Sequence, residues 1–314
     1  VGGIIKCRYI FVSMHSKAFA YFIAILTIFP YSAWYISMSF LATTYTGTYT
    51  PIFVLFLLFS ILLAISFIPS RNKLRLGRLI DIMYPALAGL FFALGNYLFY
   101  IVIFQQGVQF ASSFSSAEIV FFVLFLWLTG KQKTKIGLYF LGSLLIAIGL
   151  ITESTVLKGV SFSFNLPLLE YGILIALAYG LAAYCYYLST KKIEAMWGTI
   201  FYITLSEALV FGILFALFYR YIVMPSFSIK FLFLLVLSAL LLFVSFFTET
   251  WMMKLLEPFG EGTTSTGYIL SDLELLPVMF YAIYEKPSAW FSFVPGMILI
   301  TIGMILLDWK KENE

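Results

Sequence analysis

The chain has 314 residues, of which 62% are hydrophobic, 20% aromatic and 11% charged, with a mean hydropathy of +1.01. A soluble domain carries about 25% charged residues, so this much apolar surface has to face lipid rather than fill one core. The net charge of +4 then reflects membrane topology and not nucleic-acid binding.

A bilayer core needs about 20 apolar residues per helix, and ten segments qualify: about 17–40, 51–69, 80–105, 110–129, 134–152, 166–190, 195–219, 229–255, 259–284 and 289–308. The expected fold class is therefore an all-α integral membrane protein of ten transmembrane helices. The residues before 17 and after 308 read as cytoplasmic tails, and Val1–Ser13 precedes the first methionine, Met14. No cleavable signal peptide is needed, because the first apolar segment is long enough to span.

In chain order, the first segment carries Pro30-Tyr-Ser-Ala-Trp34, where proline either kinks the helix or is tolerated. Tyr31, Trp34 and Tyr35 are candidates for an aromatic wall. After the second segment, Arg71, Lys73, Arg75 and Arg78 read as headgroup anchors. The third segment offers Asn96 as a polar anchor, with Tyr97 and Tyr100, and ends at Gln105-Gln106-Gly107. The fourth opens on Ala111-Ser-Ser-Phe-Ser-Ser116 and contains Glu118. Ser115 and Ala111 precede Glu118 by three and seven residues, forming one small face.

The sixth segment carries Tyr179, Tyr184 and Cys185, a small buried thiol; with Cys7 it makes two cysteines, too few for a disulfide framework. Glu207 sits in the seventh, and Glu249 lies nearer the cytoplasmic end of the eighth, before the break at Glu257-Pro258. The ninth holds Asp272 and Glu274. On a continuous helix these two stand roughly 200° apart, so only one of them is expected to face a cavity. Asp272 follows Tyr268 and Ser265 by four and seven residues.

With the N-terminus in the cytoplasm, Lys6, Arg8, Lys17, Arg71, Lys73, Arg75, Arg78, Lys131, Lys133, Lys135, Lys191, Lys192, Lys254, Lys310 and Lys311 all fall inside. Only Lys158, Arg220, Lys230 and Lys286 fall outside. That asymmetry follows the positive-inside rule and supports an even number of spans with both termini cytoplasmic.

An internal repeat is also legible. Gly142-Ser-Leu-Leu-Ile-Ala-Ile-Gly149 and Gly296-Met-Ile-Leu-Ile-Thr-Ile-Gly303 stand at one common offset, from 142 to 296 and from 149 to 303. The same offset carries Glu118 onto Asp272, Ser112 onto Thr266 and Ala111 onto Ser265. Two five-helix units, 17–152 and 166–308, are then expected to enter the membrane from opposite sides. Inverted repeats of that kind are the architecture of secondary transporters, with the site near the midplane between them.

On these residues the chain resembles the drug/metabolite transporter superfamily, in particular its ten-helix EamA-type members, over about residues 17–308. The resemblance rests on the helix count, the repeat, Pro30–Trp34 in the first helix, and the serine- and threonine-rich openings Ala111–Ser116 and Gly262–Gly267. It implies transport of metabolites such as amino acids, amines, sugars or sugar nucleotides across the plasma membrane, with family analogy leaning to export. The acidic residues of the fourth and ninth segments depart from the family's expectation.

Ionisable groups inside a bilayer are costly and functional by default. Glu118, Glu207, Asp272 and Glu274 fall near the midplane, where no Lys or Arg falls on these spans. Such carboxylates are either protonated and hydrogen-bonded to a neighbouring helix, or they meet a mobile cation or a cationic solute. A phosphorylated solute would call for Arg or Lys, so an amine-bearing or neutral solute is expected, amino acids included, with proton coupling. The candidate binding or coupling set is Glu118, Asp272, Glu207, Glu274, Asn96, Tyr100, Tyr31, Trp34, Tyr179 and Ser115. An aromatic box of this kind holds an ammonium by cation–π attraction, about 0.5–2 kcal/mol per contact.

An enzyme is not expected, nor a cofactor or a metal. His15 is the single histidine and precedes the first span, and no Ser-His pair, histidine metal motif or Walker sequence occurs. The alternatives are a lipid flippase or scramblase on the same fold, and a receptor or scaffold that transports nothing. The partners implied are a small solute, membrane lipid and protons.

Overall fold

The computed structural model describes residues 2–44, 49–71, 79–131, 136–156, 166–193, 196–223, 227–259, 261–285 and 290–308. Lys73, Arg75, Arg78, Lys133, Lys135, Lys158, Lys286, Lys310 and Lys311 lie outside the described residues, as do most of the loops 70–79 and 153–165. The described residues are helical nearly throughout and contain no strand. That outcome is forced by lipid, in which a backbone N–H or C=O has no partner unless the helix supplies one.

Among the described residues, twelve α-helices follow one another: α1 (Gly2–Thr44), α2 (Thr50–Ser70), α3 (Leu79–Gln106), α4 (Val108–Ser116), α5 (Glu118–Leu128), α6 (Ile136–Val156), α7 (Leu166–Lys192), α8 (Met196–Phe218), α9 (Ile229–Leu256), α10 (Glu261–Ser271), α11 (Leu275–Glu285) and α12 (Trp290–Asp308). Among the described residues, seven stretches are long and apolar enough to cross a membrane, and two shorter apolar ones lie at Gly137–Thr152 and Val294–Leu307. The chain is an all-α, multi-pass integral membrane protein.

The expected boundaries hold closely, with three differences. First, α1 extends back to Gly2 instead of starting near residue 17. Pro30 lies within it, flanked by Thr27 and Ser32, whose hydroxyls donate to the carbonyls of Ile23 and Ile28. Second, the segment 110–129 is two helices, interrupted at Ala117. Third, the segment 259–284 is also two, joined by a three-residue 3₁₀ turn at Asp272–Glu274. The break between α3 and α4 falls on Gly107, whose φ of 99° is a conformation that only glycine adopts without strain. Pro258 lies in a second 3₁₀ turn, Glu257–Phe259, that ends α9.

The most extensive helix pairings are α6 with α12, α3 with α7, α1 with α9 and α2 with α8. Between α6 and α12, Gly142 packs on Gly303 and Gly149 on Gly296, so closely that a Cβ on Gly142 would fall 2.8 Å from the Gly303 carbonyl oxygen. Small residues permit this approach, and in lipid, van der Waals contact is what holds helices together. Gly89 meets the backbone of Ile203 in α8, and Gly95 meets the ring of Tyr179 in α7. These contacts fix α3 between α7 and α8, and they set where Asn96 points.

Candidate functional site

Helical periodicity assembles the site. On α1, Tyr31, Trp34 and Tyr35 share one face because residues three and four apart are neighbours. That face meets Phe92 and Asn96 of α3, Ser115 of α4, Glu118 of α5, Tyr179 of α7, Leu242, Phe246 and Glu249 of α9, Tyr268 of α10, and Asp272 and Glu274 of the 3₁₀ turn. Together these residues line a cavity of about 30 Å³ inside the bundle. A water needs roughly 10–15 Å³ by this measure, so this conformation leaves room for only a few atoms.

Four carboxylates line so small a space, and each of the three glutamates is held by a tyrosine from another helix. Tyr268 donates to Oε1 of Glu118, and Tyr31 donates to Oε2 of Glu249. Tyr35 donates to Oε1 of Glu274 at 2.5 Å, and its oxygen lies 2.7 Å from the Ser115 hydroxyl. Since the Tyr35 proton is given to Glu274, Ser115 is the donor in that second bond. The Ser32 hydroxyl also lies 2.8 Å from the carbonyl oxygen of Glu274, which fastens the 3₁₀ turn to α1.

A relay runs from the cavity to a further carboxylate. Tyr179 donates to Oδ1 of Asn96 at 2.8 Å, and Nδ2 of Asn96 donates to Oε1 of Glu207 at 3.0 Å. Three polar atoms in or beside the cavity have no protein partner: Nε1 of Trp34, Oδ2 of Asp272 and Oε2 of Glu207. Among the described residues, no Lys or Arg lines the cavity. Among the described residues, no group of three or more His, Cys, Asp or Glu side chains is placed to hold a metal ion. Carboxylates taken out of water without a fixed cation are costly, so the arrangement suits proton exchange with a carboxyl or capture of a mobile cation.

A solved crystal structure superposes on this chain with a TM-score of 0.59 at 16% sequence identity, covering 93% of this chain and 96% of the other. The likeness is one of fold. No protein-family model matches the sequence, and no curated protein matches it.

Of the residues singled out in the sequence, Glu118, Asp272, Glu274, Asn96, Tyr31, Trp34, Tyr179 and Ser115 line the cavity. Glu207 stands behind Asn96. Tyr100 is not part of the lining: it is buried, and its hydroxyl donates to the Leu41 carbonyl. Tyr97 and Tyr184 also lie away from the cavity, Tyr184 packing on Phe125.

One expectation needs correction. Asp272 and Glu274 both reach the cavity, because the 3₁₀ turn between α10 and α11 interrupts the continuous helix on which the 200° separation was counted. Glu249, in the C-terminal third of α9, lines the cavity as well, although it was not in the candidate set. Tyr268 carried one signal, its place four residues before Asp272; Phe92 and Phe246 had none beyond being aromatic residues among many.

Proposed function

We propose that this protein is a transporter of small amine-bearing solutes, amino acids among them, working by alternating access. The observation that carries the reading is the small cavity inside the bundle, lined by Glu118, Glu249, Asp272 and Glu274 and, among the described residues, by no Lys or Arg. An ammonium group balances such a lining and a phosphate does not. When the solute leaves, protons replace it on the carboxylates, so a proton gradient drives accumulation.

In this reading the residues 17–152 and 166–308 form two inverted five-helix repeats, giving ten spans with both termini cytoplasmic, as in the EamA-type transporters the sequence resembles. Several features support the repeat. Exchanging the two halves exchanges the α1–α9 pairing with α3–α7 and returns α2–α8 and α6–α12 to themselves. The glycine contacts are reciprocal in the same way, since Gly142 meets Gly303 while Gly149 meets Gly296. The helix breaks also correspond, because α5 begins at Glu118 and the 3₁₀ turn begins at Asp272, the two positions that the offset from 142 to 296 superposes. Opening the cavity to either side then requires one half to rock against the other. The plasma membrane is the location that accords with this role.

The test is counterflow in proteoliposomes loaded with a pool of amines, amino acids, sugars and sugar phosphates and read by mass spectrometry. Exchange of amines or amino acids, enhanced by an imposed pH gradient, is the expected result. Exchange of phosphorylated solutes alone would overturn the reading and move the site to the loop lysines and arginines. Movement of labelled phospholipid headgroups in its place would make the protein a scramblase.

A further inference from the structure

Two of the side chains that line the cavity each carry a polar atom without a protein partner. Oδ2 of Asp272 is an acceptor without a donor, and Nε1 of Trp34 is a donor without an acceptor. Both side chains line the cavity and are more than nine-tenths buried, with Asp272 at 7% and Trp34 at 3% exposure. Buried polar groups are normally paired, and leaving one unpaired is costly. A ligand that satisfies both atoms must carry a donor and an acceptor.

The surroundings fix the charge of each. Asp272 shares the cavity with three glutamates and no cation, so the donor it favours is an ammonium. A carboxylate offered to Trp34 would add a fifth negative group to that space. Nor do the tyrosines welcome one, because all four in the lining have given their hydrogens elsewhere. Tyr31 donates to Glu249, Tyr35 to Glu274, Tyr268 to Glu118 and Tyr179 to Asn96. Trp34 therefore favours a neutral acceptor, such as a hydroxyl or an amide carbonyl oxygen.

We infer that the site selects a small amine bearing a neutral hydrogen-bond acceptor, an amino alcohol or an amino amide, ahead of the free amino acids that the broader reading also admits. This rests on the reading of the cavity as an amine site and narrows it. Asp272 takes the ammonium, and Trp34 reads the acceptor.

Four probes of matched size separate the terms: ethylamine, with an ammonium only; ethanolamine, which adds a hydroxyl; glycinamide, which adds a carbonyl; and glycine, which adds a carboxylate. Their affinities are measured by calorimetry on the full chain in lipid nanodiscs at neutral pH. Ethanolamine and glycinamide are expected to bind roughly three- to ten-fold more tightly than ethylamine, the effect of one added hydrogen bond. Glycine is expected to bind at least about ten-fold more weakly than glycinamide, the effect of an uncompensated charge. Trp34→Phe is expected to bring the ratio of ethanolamine to ethylamine affinity down to about one, whatever it does to either affinity alone. Should that variant fail to fold, the probe series on the unaltered protein still decides. Equal affinities for ethylamine, ethanolamine and glycinamide, or for glycine and glycinamide, would overturn the inference while leaving an amine site standing. Failure of all four to bind would overturn both.

Discussion

Gly149 of α6 lies against the backbone of Gly296 of α12, where a Cβ built on Gly149 would fall 2.5 Å from the Gly296 carbonyl oxygen. A Cβ on Gly303 would likewise fall 2.6 Å from the Gly142 carbonyl oxygen. The neighbours are backbone atoms and cannot turn aside, so Gly149→Ala has to push the two helices apart. Overpacking of this kind costs about 1–3 kcal/mol, to be read as a lower melting temperature in detergent. Gly137 belongs to the same helix but would meet nothing within 4 Å, so Gly137→Ala is expected to be neutral or slightly stabilising. Equal melting temperatures for the two variants would remove the close glycine packing.

The carboxylates themselves come next. Glu118→Gln and Asp272→Asn keep side-chain volume and remove the negative charge offered to an ammonium. A hydrogen bond to a charged group contributes about 1.5–3 kcal/mol, so each variant is expected to weaken amine exchange by roughly ten- to a hundred-fold. Tyr268→Phe, which takes the phenol away from Glu118, is expected to have a smaller effect in the same direction. Initial rates of counterflow across a range of amine concentrations measure all three, and full transport by both acid-to-amide variants would strip Glu118 and Asp272 of their roles.

Tyr35 and Tyr100 make a matched pair, since both are buried and both donate a hydrogen bond. Tyr35 ties Glu274 and Ser115 together inside the cavity, whereas Tyr100 ties α3 to the Leu41 carbonyl outside it. Tyr35→Phe is expected to lower apparent affinity for the solute. Tyr100→Phe is expected to cost about 1 kcal/mol of stability and to leave exchange rates unchanged. A transport defect in Tyr100→Phe at unchanged protein level would enlarge the site beyond the residues that line the cavity.

Most of the bundle was legible because lipid turns a long apolar run into a helix with little choice. Gly107 and Pro258 marked breaks for simple steric reasons. The breaks at Ala117 and at Asp272–Glu274 were not legible, since neither contains a proline or a glycine, and they arise from what the neighbouring helices hold. Ser32 and Tyr35 both grip Glu274 from α1, a contact spanning more than 200 residues that no local pattern announces. Three of the four carboxylates lining the cavity stood out because charges are so rare in this chain. Its aromatic residues did not, because 35 Phe and 21 Tyr bury the informative few among the packing. Tyr100 stood in the candidate set although its hydroxyl donates to the Leu41 carbonyl and it is not in the cavity lining, and Phe92 and Phe246 were passed over for that same reason.

Glu207 is the remaining carboxylate, and the structure makes it a support. It is fully buried, it does not line the cavity, and its Oε1 accepts from Asn96, which in turn accepts from Tyr179. Glu207→Gln keeps an oxygen for Asn96, so the relay survives; stability is expected to stay within about 1 kcal/mol of the unaltered protein. Glu207→Ala removes the acceptor and the side-chain volume together, leaving the Asn96 amide unpaired beside a void, at about 2–5 kcal/mol. The loosened Asn96 no longer holds Tyr179 against the cavity, so solute affinity is expected to fall in the alanine variant and to be restored in the glutamine variant. Thermal melts and the concentration dependence of counterflow, measured on both variants, separate the two effects. Loss of exchange in a stably folded Glu207→Gln protein would show that the acid itself is needed, and Glu207 would then be a proton site and not a positioning residue.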